Sequence, residues 1–187
     1  MKILAIPATN SRNGLNRQLL EHASSVIRGG IRPDAEVEVL DLNDFEMPIY
    51  SQERQEASGI PEPAQRFYDA IGAADAVIVS FAEHNGSYSV AWKNVYDWAS
   101  RIEMGVYQGK KVAMLATSPG GRGGAGVLGS ATMTAPFFGA DLVGSLSVPS
   151  FYENFDSERG ELTNPDLRAS LESLLSDLTD GSTADAA

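Results

Sequence analysis

Two stretches of this chain, Ala76–Phe81 (AVIVSF) and Lys111–Ala116 (KVAMLA), run apolar almost throughout and do not alternate. Successive side chains of a strand point to opposite faces, so a strand with one wet face alternates apolar and polar residues. A strand that does not alternate is covered on both faces, the condition of a central strand in a parallel sheet. Lys2–Ile6 and Asp141–Val148 read as two more strands. Glu36–Leu40 (EVEVL) alternates, as a strand toward a sheet edge does.

Helical spacing fills the intervals. Leu15–Ile27 places Leu15, Leu19, Ala23 and Val26 or Ile27 on one face, and Gly29 and Gly30 end it. Ala64–Ala73 follows Pro63, a residue suited to a first helical turn. Ser89–Arg101, a helix reaching about Phe138, and Asn164–Leu178 complete the set. Five strands alternating with helices, joined by right-handed crossovers, predict an α/β fold. The expected architecture is a flavodoxin-like, doubly wound, five-stranded parallel sheet of order 2-1-3-4-5 with helices on both faces. A hydrophobic content of 43% over 187 residues supports one core. One domain is expected over residues 1–178, and residues 179–187, ending GSTADAA, as a disordered tail. Asp41–Gly59 reads as a long irregular loop, a kind often functional. Its Phe45, Met47, Pro48 and Tyr50 either cover an apolar ligand or pin the loop to the core.

Composition removes whole classes of chemistry. Cys is absent and His22 and His84 are the only histidines, so thiolate nucleophiles, disulfides and the usual zinc sites are excluded. The net charge of −11, with much of the acid after Phe151, argues against nucleic acid as a partner. No apolar run is long enough to span a membrane or to serve as a signal peptide, so no membrane partner and a cytoplasmic location are expected.

In the expected fold, ligands bind outside the carboxyl ends of the strands, where three unusual loops converge. The first, ATNSRNGLN, holds Thr9, Ser11, Arg12, Gly14, Leu15 and Asn16 and no acid. Free N–H groups and the dipole at a helix start favour an anion. Simple N-capping by Ser11 or Asn13 is the competing reading, but a cap needs one such residue and this turn has several. The loop is neither a Walker A sequence nor Gly-x-Gly-x-x-Gly. The second, AEHNGSYS, offers Glu83, His84, Asn85 and Ser87, which can read the edge of a planar heterocycle, while His84 or Tyr88 can stack on it. In the helix beyond, Trp98 reads as core and Lys93 with Asp97 as a surface pair. The third, SPGGRGGAG, contains Ser118, Gly120, Gly121, Arg122 and Gly123. It either lets main chain approach a flat ligand or is a flexible surface loop.

Together these loops resemble the NADPH-dependent FMN reductase family, flavodoxin-like flavoenzymes that include quinone, chromate and azo-dye reductases. The family's first motif is roughly Gly-Ser-x-Arg-x-x-Ser-x-Asn. Asn16 matches it, Thr9 replaces the Ser, Ser11 stands where the family has Arg, Arg12 comes one place later, and Gly14 replaces the second Ser. The second motif is similar to Pro-Glu-Tyr-Asn-x-Ser followed by a Lys-Asn-x-x-Asp-Trp helix. Glu83, Asn85, Ser87, Lys93, Asn94, Asp97, Trp98, Ser100 and Arg101 match, whereas Ala82, His84 and Val90 depart from it. Ser118, Gly120, Gly123 and Gly124 match a third motif, Ser-x-Gly-x-x-Gly-Gly.

The resemblance implies bound FMN, with NAD(P)H as co-substrate and a small-molecule electron acceptor. It implies a phosphate held by the first loop and a ring held by the other two. Hydride passes from nicotinamide to flavin and on to quinone, free flavin or a similar acceptor in ping-pong fashion. The flavin carries the chemistry, so no catalytic side chain is expected. Loop amides, with Arg122, would stabilise negative charge on the reduced ring. A homodimer or a tetramer of dimers is implied as well. Two other classes compete: a flavodoxin-like electron carrier without NAD(P)H oxidation, and a family member that binds no flavin and acts through interactions alone.

Overall fold

The computed structural model of the protein describes residues 1–180, so the expected disorder of GSTADAA lies outside the described residues. Its sheet contains β1 (Lys2–Ala8), β2 (Glu36–Val39), β3 (Ala76–Phe81), β6 (Lys111–Thr117) and β7 (Asp141–Val148). They run parallel in the order β2-β1-β3-β6-β7, which is 2-1-3-4-5 when only the strands of this sheet are counted. Two small antiparallel hairpins lie outside it: β4 (Glu83–His84) with β5 (Ser87–Tyr88), and β8 (Phe155–Asp156) with β9 (Glu161–Leu162).

The non-alternating strands are covered twice over. Leu4, Ile6, Val77, Val79, Val112 and Met114 pack toward α3 (Glu62–Gly72), α4 (Val90–Ile102) and α5 (Ala125–Thr134). Ile3, Ala5, Ile78, Ala113 and Leu115 pack toward α1 (Leu15–Val26) and α7 (Pro165–Thr179). Each fully buried Leu, Ile or Val contributes about 1.5–3 kcal/mol, so the two layers hold the sheet from both sides.

The structure departs from expectation at several boundaries. β1 continues through Pro7 to Ala8. Pro7 sacrifices no ladder bond: its edge faces the side of β2, whose pairing has already ended with Leu40 N–H donating to Ala5 O. Gly29 and Gly30 do not stop the first helix outright, because a π turn carries Ile27–Ile31 onward. Asp41–Gly59 is not irregular throughout. It holds a 3-10 turn at Leu42–Phe45, capped by Asp41, and α2 at Gln52–Ser58, capped by Ser51. α2 buries no residue, so it leaves no apolar periodicity to read. The last helix runs Pro165–Thr179, one residue beyond the expected Leu178, with Asn164 as its N-cap.

After β7 come α6 (Phe151–Asn154) and the β8–β9 hairpin, neither of which periodicity reveals. His22 on α1 holds the hairpin: Nε2 accepts from Leu162 N–H at 3.4 Å, and the ring meets Phe155 edge-on. Burial lowers the His22 pKa and so favours the neutral imidazole that can accept this bond. No helix among the described residues is long and apolar enough to cross a membrane.

Candidate functional site

At the carboxyl ends of β1, β3 and β6 the three loops enclose a cavity of about 170 Å³. The first loop contributes Thr9, Ser11, Gly14, Leu15 and Asn16, the second Glu83 and His84, and the third Ser118.

The first loop leaves donors free. α1 begins at Leu15 with Gly14 as its N-cap and no side-chain cap, so neither Ser11 nor Asn13 serves the capping role. Thr9 Oγ1 accepts from Ser11 N–H at 3.1 Å, and Ser11 C=O accepts from Gly14 N–H at 3.1 Å. The amides of Arg12, Asn13, Leu15 and Asn16 have no acceptor among the described residues. A helix start with unsatisfied N–H groups and the positive end of its dipole is an anion site. Gly14 is held close, since a Cβ there would lie 3.1 Å from the Ser11 carbonyl oxygen.

Two first-loop residues behave otherwise than expected. Arg12 turns out of the cavity and pairs with Asp41 at 3.4 Å, in a separate groove shared with Arg17 and Glu21. The Asn16 side chain is buried and fully engaged. Oδ1 accepts from Thr117 N–H at 2.9 Å and Ser80 O–H at 3.0 Å, and Nδ2 donates to Thr117 C=O at 3.1 Å. It ties α1 to the ends of β3 and β6, leaving only its main-chain amide for a ligand.

The second loop is the β4–β5 hairpin. Asn85 (φ 52°) and Gly86 (φ 77°) form its two-residue turn, both in the left-handed region that Asn-Gly favours. That dipeptide was the available sequence signal for the hairpin. Asn85 therefore sits at the exposed tip and Ser87 opposite His84, neither lining the cavity. Tyr88 packs on Phe81, with ring centroids 5.8 Å apart, leaving His84 as the ring available for stacking. Glu83 leans toward the start of α5, where a Cβ on Gly126 would meet its Oε1. Ser89, which the motifs did not single out, is buried: it donates to Ala8 C=O at 2.8 Å and caps α4 by accepting from Trp92 N–H.

The third loop is tied down rather than free. Gly120 C=O accepts from Gly123 and Ser150 N–H groups, and Ser118 C=O accepts from Phe151 N–H. Gly120 and Gly121 are exposed, with open space where a Cβ would go. Gly123 is buried against the end of β7 instead, so its lack of a side chain serves packing. Arg122 is exposed and, like Gly120, Gly121 and Gly123, does not line the cavity.

A second cavity, about 330 Å³, also touches His84 and lies between residues 42–49 and the first turns of α4. Residues 41–50 form a strap lashed at two points. Asn43 Nδ2 donates to Asn10 C=O at 3.0 Å. Asn94 Oδ1 accepts from Tyr50 N–H at 2.9 Å, while its Nδ2 donates to Met47 C=O at 3.0 Å and Trp98 Nε1 donates to Pro48 C=O at 2.8 Å. Phe45 is buried and Tyr50 meets Trp98 edge-on, so these rings pin the strap to the core, whereas Met47 faces the cavity. Trp98 is core and Lys93 pairs with Asp97 at 2.6 Å, as expected.

The chain is 32% identical over 120 residues to an NAD(P)H-dependent FMN reductase of Pseudomonas aeruginosa, a match covering 64% of this chain and 61% of that relative, under two thirds of its length. It is 28% identical over 184 residues to a 2-hydroxy-1,4-benzoquinone reductase of a Burkholderia species, covering 94% and 92% of the two chains. Among solved structures, FerB of Paracoccus denitrificans, a flavoenzyme NAD(P)H:(acceptor) oxidoreductase, superposes with a TM-score of 0.72 at 23% identity over 95% of this chain and 94% of its own, a likeness of fold. Residues 1–153 match the family model described as NADPH-dependent FMN reductase, and the chain belongs to that family.

Proposed function

We propose that the protein is an FMN-containing oxidoreductase that passes hydride from NAD(P)H to quinones, free flavins or similar small acceptors. The observation that carries this reading is the uncapped start of α1. Four amides without internal acceptors, beside Thr9 and Ser11, are the donor set a phosphate monoester needs. Those groups would hold the FMN phosphate. Glu83 is turned toward α5, so its carboxylate does not compete with the phosphate for those donors. His84 and Ser118 would flank the rest of the cofactor, with Gly120 and Gly121 leaving room for main chain to approach a flat ring. When bound, FMN supplies the centre that accepts and returns hydride. The net reaction converts NAD(P)H, a proton and a quinone to NAD(P)⁺ and a hydroquinone. The family and the Burkholderia benzoquinone reductase support this acceptor class.

FMN titration of the purified protein, followed by its visible spectrum, tests the reading. Ser11→Asp places a carboxylate among the phosphate donors and is expected to weaken FMN binding at least about a hundredfold. Unchanged affinity would mean that the loop holds no phosphate. NADPH oxidation with a quinone and no partner protein separates the enzyme from a flavodoxin-like carrier, and a protein that takes up no flavin is the interaction-only member.

We further propose that residues 1–178 act as one cytoplasmic FMN-binding domain in a homodimer, alone or as half of a tetramer of dimers. Met133 near the end of α5 and Phe137 in the 3-10 turn that follows it (Ala135–Phe138) are 70% and 79% exposed, an apolar patch that association would cover. Phe137→Glu is expected to turn dimer into monomer by light scattering; a wild-type monomer would refute the dimer.

A further inference from the structure

The geometry points to the 330 Å³ cavity beneath the strap as the seat of the electron acceptor, and to a seat that selects neutral quinone-like rings over anionic acceptors such as sulfonated azo dyes. This inference rests on the flavin-reductase reading above. The cavity shares His84 with the smaller cavity, so a molecule seated there lies beside whatever the three loops hold. Its volume suits a one- or two-ring compound.

The lining sets the chemistry. Leu42, Phe45, Met47 and Ile49 from the strap and Val95 from α4 offer apolar surface for a flat ring. Asn43 and Asn94 are spent on lashing the strap and Ser89 on Ala8 and the start of α4, leaving His84 as the polar side chain near a carbonyl edge. Charge decides the rest. Glu46 is the only carboxylate in the lining, and no Lys or Arg lines the cavity. Outside the lining, Lys93 is paired with Asp97, Arg12 with Asp41 and Arg66 with Glu62, while Arg54 keeps its charge on an exposed side chain that donates to the Ile49 carbonyl. An anion entering would give up water without meeting a cation, inside a protein of net charge −11. A neutral quinone pays neither cost.

Asn94 is thus a positioning residue. With Trp98 it fixes the strap, so two residues of the Lys-Asn-x-x-Asp-Trp helix act on the wall of the acceptor seat.

The test compares a neutral naphthoquinone with a disulfonated azo dye, using FMN-loaded protein and NADPH. In the wild type, kcat/KM is expected to favour the quinone, and added salt to raise the dye rate far more than the quinone rate. Glu46→Lys is expected to raise the dye-to-quinone ratio of kcat/KM about five- to tenfold. A ratio that does not move, or a wild type that prefers the dye, overturns the selection. The seat is tested separately, without turnover, by calorimetry of the naphthoquinone with the protein. Ile49 is 65% exposed, so Ile49→Trp narrows the cavity without burdening the core, and a roughly tenfold loss of quinone affinity is expected. Unchanged affinity places the acceptor elsewhere. A protein that takes up no FMN ends the flavin-reductase reading, and the calorimetric result still decides the seat.

Discussion

Gly123→Ala is expected to lower the melting temperature by about 10 °C and to disorder the third loop. Gly123 has φ 57°, a conformation that costs an L-residue about 1–2 kcal/mol. Its Cβ would also lie 2.5 Å from Ser147 Oγ, 2.7 Å from Pro149 N and 2.8 Å from Val148 C. The serine side chain can rotate; the other two atoms are main chain at the end of β7 and cannot move without unseating β7 from β6. Overpacking of this kind costs a further 1–3 kcal/mol or so, for a total of about 3 kcal/mol. In a chain this long each kcal/mol shifts the melting temperature by about 2–4 °C. Gly120→Ala and Gly121→Ala are the controls, because neither has a left-handed φ and neither Cβ would meet an atom within 4 Å. Their expected cost is under about 0.5–1 kcal/mol. Differential scanning calorimetry of the three variants decides it. Equal losses at all three positions would mean that Gly123 is not packed as described.

Asn16→Ala is the second large effect, at about 3–5 kcal/mol. The substitution leaves Ser80 O–H and the N–H and C=O of Thr117 without their partner, at sites that are buried. Each stranded group costs about 1–3 kcal/mol, offset where water enters the space vacated. Among the described residues no other hydrogen bond joins an α1 side chain to the ends of β3 and β6, so the loop before α1 is expected to loosen as well. Urea denaturation, read alongside FMN affinity, separates two roles. A structural amide predicts a large loss of stability; an amide that contacts only the ligand would leave stability unchanged and weaken FMN binding alone.

Asn16 also illustrates where sequence reading stops. Its motif position places it in the site, and it is there. Its side chain faces inward because Ser80 and Thr117, 64 and 101 residues away, arrive at the same point. Arg12 is the converse case. It supplies the local positive charge of the first loop, yet Asp41, just beyond the carboxyl end of β2, draws the guanidinium into another groove. Asn85 was legible in a different way: Asn-Gly between two short segments signals a hairpin turn, and its conformation follows from that turn. Pinning of the strap by its own rings was one of the two readings open to the sequence, but its lashing stayed hidden because that comes from Asn94 and Trp98 on a later helix.

What the sequence by itself determined is the layered sheet and the place of the loops. Apolar runs without alternation must be covered on both faces, and right-handed crossovers then bring the loops after β1, β3 and β6 to one end. Those consequences follow from backbone geometry and burial, which are read locally. Only the tertiary structure decided which atoms in those loops remain free. Asn16, Arg12, Gly123 and Asn94 each found partners distant in sequence, and a polar group bonded inside the fold is no longer available to a ligand. The amides at the start of α1 stayed unpaired because no capping side chain reached them.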